Sequence, residues 1–129
     1  MTKASILSVL AICLLSISLA FAQGPMQAKP TAADQVRLTK LEKAYKAAKS
    51  ALTKSPKSAK AKKDFTTIGV AYASESMMSP VLTPHVKYTQ ALHLFREVLK
   101  VDPNEPTAKR QSELIISIYK QMGRPVPAG

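Results

Sequence analysis

Few side chains in this sequence could do chemistry, and their spacing limits what that chemistry could be. Two histidines, one cysteine and eight carboxylates are the whole supply of imidazole, thiol and side-chain carboxylate groups in 129 residues. The thiol, Cys13, has no second cysteine for a disulfide or a cysteine zinc site within the chain. His85 and His93 have no cysteine or acid pair nearby from which a zinc site or a hydrolase triad could assemble. His93 and Glu97, at i and i+4, could hold a metal weakly. Met77, Met78 and His85 form a thioether and imidazole set soft enough for Cu(I), although methionines that tuck a loop onto a helix pair explain the same letters. The acids are scattered, so no general acid and base are paired. The expectation is a protein without catalysis, bound metal or cofactor.

The elements that would position these groups are helical. A chain of 129 residues allows one compact domain, at roughly 150 residues per domain. Four glycines are too few for phosphate-cradling loops or hairpin-rich sheets, and no alternating apolar and polar run is long enough for a strand. Thr31 can cap a first helix with Asp34 as its capping-box partner. Leu38, Leu41, Tyr45, Ala48 and Leu52 then form one stripe, ending near Ser55-Pro56. From about Ser58 to Ser76, Ala61, Phe65, Ile68, Gly69, Tyr72 and Ala73 form a second stripe. Two prolines between Met77 and Pro84 predict a long loop over about 76–84. Thr83 caps and Pro84 starts a third helix, in which Tyr88, Ala91, Leu92, Phe95, Val98 and Leu99 share a face up to Asp102-Pro103. A fourth runs from about Glu105 through Leu114, Ile115, Ile118 and Tyr119 to a cap at Gly123, leaving 124–129 as a tail. The predicted fold class is all-α, in antiparallel helical hairpins.

The first 22 residues follow a different logic. Lys3, the apolar run Ile6 to Leu19 and the small residues around Phe21 in Ala20-Phe21-Ala22 read as a signal peptide cut before Gln23. The expected location is therefore periplasmic or secreted. The competing reading is an uncleaved anchor, because Ala4 to Ala22 carries no charge and would just span a bilayer. Residues 23–30, with Gly24 and Pro25, read as a flexible leader. Cleavage would leave 107 residues with 18 basic and 8 acidic side chains, a net charge of +10.

Phe65, Ile68, Gly69 and Tyr72, followed by Tyr88, Ala91, Phe95, Val98 and Pro103, resemble the tetratricopeptide repeat pattern. Gly69 and Ala91 would let two helices approach closely, with Phe65, Tyr72 and Phe95 filling the flanking space. Leu41, Ala44, Ala48, Ala51 and Pro56 resemble the second helix of a preceding repeat, and Leu114 to Gly123 the first helix of a following one. Phe65 stands where the family has tryptophan, and Tyr72 to Tyr88 is about ten residues longer than the family's turn. A four-helix bundle can carry similar spacings. The resemblance implies one full repeat between two halves, which either act as caps or pair with another molecule, including a second copy. In its register His93 and Glu97 lie on the outer face as a solvated contact.

The resemblance also implies a protein or peptide partner, held in a groove lined by Lys63, Thr66, Val70 and Ala73. Thr66 and Val70 do not match the family's carboxylate clamp, so capture of a peptide C-terminus is not expected. Charge points to a second surface. Between Arg37 and Lys63 lie ten basic residues and one acid, Glu42. Lys40, Lys43, Lys46 and Lys49 fall mainly opposite the apolar stripe of the first helix. They read either as a solvated face or as a landing surface for anionic envelope polymers or lipid headgroups. Nucleic acid is not expected, since no aromatics interleave with these lysines to stack on bases.

Overall fold

A computed structural model describes residues 29–128; the predicted signal peptide with Cys13, most of the predicted leader and residue 129 lie outside the described residues. Four helices follow one another: α1 (Ala32–Lys54), α2 (Ala59–Met78), α3 (Pro84–Val101) and α4 (Pro106–Gln121). No strand occurs among the described residues. The fold is all-α.

Local chemistry explains the helix ends. Thr31 and Asp34 close the capping box: the Asp34 amide donates to the Thr31 hydroxyl at 3.2 Å, and the Thr31 amide donates to the Asp34 carboxylate at 2.9 Å. The Thr31 side chain and backbone hydrogen bonds hold the Asp34 carboxyl below its ordinary range. Ser58 accepts from the Ala61 amide at 3.2 Å and starts α2. Thr83 occupies the cap position of α3, but its side chain makes no capping bond; Pro84, whose φ is already helical, supplies the start. At the end of α4, Gly123 adopts φ 62°, the Gly123 amide donates to Lys120 O and the Arg124 amide to Tyr119 O. These paired bonds satisfy the last carbonyls of the helix, and only glycine takes that backbone conformation without cost.

The predicted loop over 76–84 shortens to 79–83. α2 continues through Met77 and Met78, and Ser79 is the first extended residue, as its position before Pro80 requires. The extra length between Tyr72 and Tyr88 is therefore absorbed largely by helix. Met77 packs against the core, whereas Met78 is 73% exposed, so only one of the two methionines serves the packing role expected of them.

Each helix runs antiparallel to the next. Arg37 meets Glu75 while Tyr45 meets Phe65; Gly69 meets Val98 while Ser76 meets Gln90; Thr89 meets Tyr119. The extended contacts are α1 with α2, α2 with α3, and α3 with α4. This is a four-helix all-helical fold packed in chain order, compatible with a helical-repeat arrangement.

The core forms where the stripes meet. Tyr45 lies between Phe65 and Tyr72, with ring centroids 5.4 and 5.6 Å away. Phe95, Ala91, Leu92 and Val98 of α3 are completely buried. A β-carbon built on Gly69 would stand 2.5 Å from Val98 Cγ2, so glycine there sets how closely α2 and α3 approach. A polar seam crosses the same interface. Gln90 Nε2 donates to the Tyr72 hydroxyl and to Ser76 Oγ, each at 2.9 Å, and Ser76 Oγ donates to the Tyr72 carbonyl. Pro103 is exposed in the α3–α4 turn, where it stops α3 without joining the core.

Candidate functional site

The four residues expected to line a groove do not act together. Lys63 and Thr66 do share a cleft of about 300 Å³ with Lys62 and Thr67, closed by Val101 and Asp102 from the end of α3. Val70 is half-buried against the core. Ala73 is fully buried and can touch no partner. It stands one helical turn after Gly69, on the same inward stripe as Phe65 and Ser76, so the packing of α1 and α3 covers it.

The basic face divides in a similar way. Lys40 and Lys43 are exposed, have no carboxylate partner among the described residues, and border an open cleft of about 490 Å³ with Val36 and Thr39. Lys46 is paired with Glu42 one turn earlier. Lys49 reaches across to Glu97 of α3 at 2.9 Å. Two of the four predicted landing lysines are thus ion-paired within the chain.

Glu97 departs from the expected solvated contact with His93. Its Oε2 accepts from Lys49 and its Oε1 from Lys100 at 2.8 Å, and its side chain is only 16% exposed. The Lys100 and Lys49 hydrogen bonds outweigh desolvation and lower its pKa from 4.5 to about 2. A carboxylate with a depressed folded-state pKa contributes stability that is fully present above pH 4.5 and lost as the pH falls toward about 2. Because both lysines are half or more exposed to screening solvent, the contribution is about 1–2 kcal/mol. Thermal melts of the parent and of Glu97→Gln should therefore differ near neutral pH and converge in that acid interval. A gap unchanged down to pH 2.5 would exclude this role for Glu97.

The structure also reveals an apolar surface that helical periodicity alone misassigned. The buried stripe of α4 is Ala108, Ser112, Ile115 and Tyr119. Leu114, counted in the sequence with that stripe, points away and is 49% exposed. Met122 is 53% exposed, and Ile118 between them is only partly covered. These three residues recur every four positions, so they stack along one face of α4, beside Arg110 one turn earlier. His85 and His93 are exposed on α3. Among the described residues there is no group of three or more His, Cys, Asp or Glu side chains placed to hold a metal, and no helix long and apolar enough to cross a membrane.

With these surfaces defined, the chain was compared with family models, curated proteins and solved structures, and none of them matches. The functional reading therefore rests on the chain's own geometry.

Proposed function

We propose that the chain is an exported, non-catalytic helical-repeat module of the tetratricopeptide type that binds another protein. The observation that carries this reading is the uncovered apolar face of α4. Leu114 and Met122 are each about half exposed on a helix whose extended packing, among the described residues, is with α3. A repeat array completes its core by stacking a further helix on such a face, and an apolar face left open among the described residues is a surface that a partner can cover. Two further features support the repeat type: the close approach at Gly69 and the buried aromatics at the positions that resemble the family. The sequence pattern of residues 1–22 supports export.

A second reading is favoured by a separate observation. Lys40 and Lys43 stand beside the 65% exposed Val36 with no carboxylate to neutralise them among the described residues. This is the chemistry of a landing site for an anionic polymer or lipid headgroup. One experiment separates the two. The parent, Leu114→Glu/Met122→Glu and Lys40→Glu/Lys43→Glu are immobilised and offered an envelope extract at low and moderate salt. A protein partner held by α4 should be lost from the first variant, retained by the second, and little affected by salt. A polyanion should be lost from the second variant and released from the parent by salt. Capture that both variants retain equally would reject both surfaces.

A further inference from the structure

The C-terminal segment builds a site that neither the repeat pattern nor the run of lysines predicts. After the Gly123 cap the chain turns back and lies along α3. Arg96 Nη1 donates to the Pro127 carbonyl at 2.7 Å, and Val126 packs against the core. The residues Pro125 and Pro127 restrict the backbone on both sides of Val126, so this return costs less entropy to hold than an ordinary tail. Between it and α3 opens a cleft of about 630 Å³. Roughly 300–1,000 Å³ is the usual size of a small-molecule site.

Its two sides differ in chemistry. His93, Arg96 and Lys100 present an imidazole, a guanidinium and an ammonium on the α3 side. Glu97 is the one carboxylate among the described lining residues, and both its oxygens are engaged, by Lys49 and Lys100. Arg96 and Lys100 line the cleft against that single carboxylate, which Lys49 also pairs from α1, so the described lining is left positive. Arg96 uses one amino group on Pro127, and the rest of its guanidinium has no partner among the described residues. The returning segment contributes the apolar side chains of Val126, Pro127 and Ala128, and Leu99 of α3 adds to that apolar lining.

We propose that this cleft binds a small amphipathic anion, with its apolar chain along Leu99 and the returning segment and its anionic head at Arg96 and Lys100. Charge complementarity selects the head, because a guanidinium with open N–H groups pairs best with a planar carboxylate. The apolar wall selects the chain. Neither feature alone makes a tight site, so the ligand must carry both.

The test uses three probes on the full chain: decanoate, which has both parts; decan-1-ol, which has only the chain; and acetate, which has only the charge. Amide chemical shifts are followed by NMR during each titration. Decanoate should give saturable shifts centred on residues 93–100 and 126–128, and the other two probes should bind at least about tenfold more weakly. Lys100→Gln, at an exposed position, should weaken decanoate about five- to tenfold, as loss of one charged hydrogen bond does, without changing the circular-dichroism spectrum. His93→Trp, which enlarges an exposed side chain of the lining, should weaken or abolish the shifts. Equal affinity for decanoate and decan-1-ol, no saturation up to millimolar decanoate, or shifts centred on Leu114 to Met122 would each overturn the proposal.

Discussion

Replacing Phe95 with alanine should cost about 3–5 kcal/mol of folding stability, the range for removing a large aromatic from a closed core. Phe95 is completely buried in α3, the helix that packs against both α2 and α4. Its loss opens a cavity that neither neighbour can fill without breaking its contact with the other. Domains of this size are stable by only about 5–15 kcal/mol, so the variant should lose a large part of the total. In urea denaturation the midpoint should fall by roughly 2 M, with the slope unchanged. Leu114→Ala provides the contrast. Leu114 is 49% exposed, so this truncation should shift stability by no more than about 0.5 kcal/mol. If the two variants were equally destabilised, the α4 face would be covered in solution, and self-association through that face would be the next measurement.

The second large effect lies at the α2–α3 crossing. Gly69→Ala places a methyl group 2.5 Å from Val98 Cγ2. Val98 is fully buried and β-branched, so it cannot rotate aside cheaply. Overpacking of this kind costs about 1–3 kcal/mol, and the better helix propensity of alanine returns about 1 kcal/mol of it. Val98→Ala alone should cost about 2 kcal/mol through its cavity. In the double variant the new methyl enters the space that Val98 vacates. The expected sign therefore reverses: Gly69→Ala destabilises the parent but is neutral or stabilising in the Val98→Ala background. The coupling should be about 1–2 kcal/mol in chemical denaturation. Simple additivity would show that the two helices do not touch at these residues.

The same contact illustrates how much of the fold is legible in the amino-acid sequence. Gly69 stands out there as a glycine inside an otherwise good helix, which implies a close approach. The sequence does not say to what. Val98 lies 29 positions later, and Tyr45, the next nearest contact at 3.8 Å, lies 24 positions earlier on a third element. The repeat pattern pairs Gly69 with Ala91 as the two small residues of one hairpin. The antiparallel register instead sets Gly69 against Val98, and it puts Gln90, next to Ala91, beside Ser76.

The sequence by itself determined the four described helices and most of their ends, but not the end of α2, which runs on to Met78. The Thr31–Asp34 box, the Pro84 start, the Asp102-Pro103 stop and the Gly123 cap are interactions among residues within a turn or two of one another, so their letters suffice. The all-α class and most of the buried stripes follow from the same short-range periodicity. Tertiary structure decided which of the remaining side chains are available. Leu114 and Ile115 differ by about 100° around the helix axis, and only the position of α3 makes one exposed and the other core. Ala73 is withdrawn from the expected groove because two neighbouring helices close over its stripe. Lys49 leaves the basic surface because Glu97, 48 residues away, reaches it. The α3 cleft exists because a proline-restricted return after Gly123 places Val126 and Pro127 against a helix some 30 residues earlier. Ion pairs and clefts of this kind are set by separations in space between residues distant in the chain, and a one-dimensional period of three and four cannot encode them.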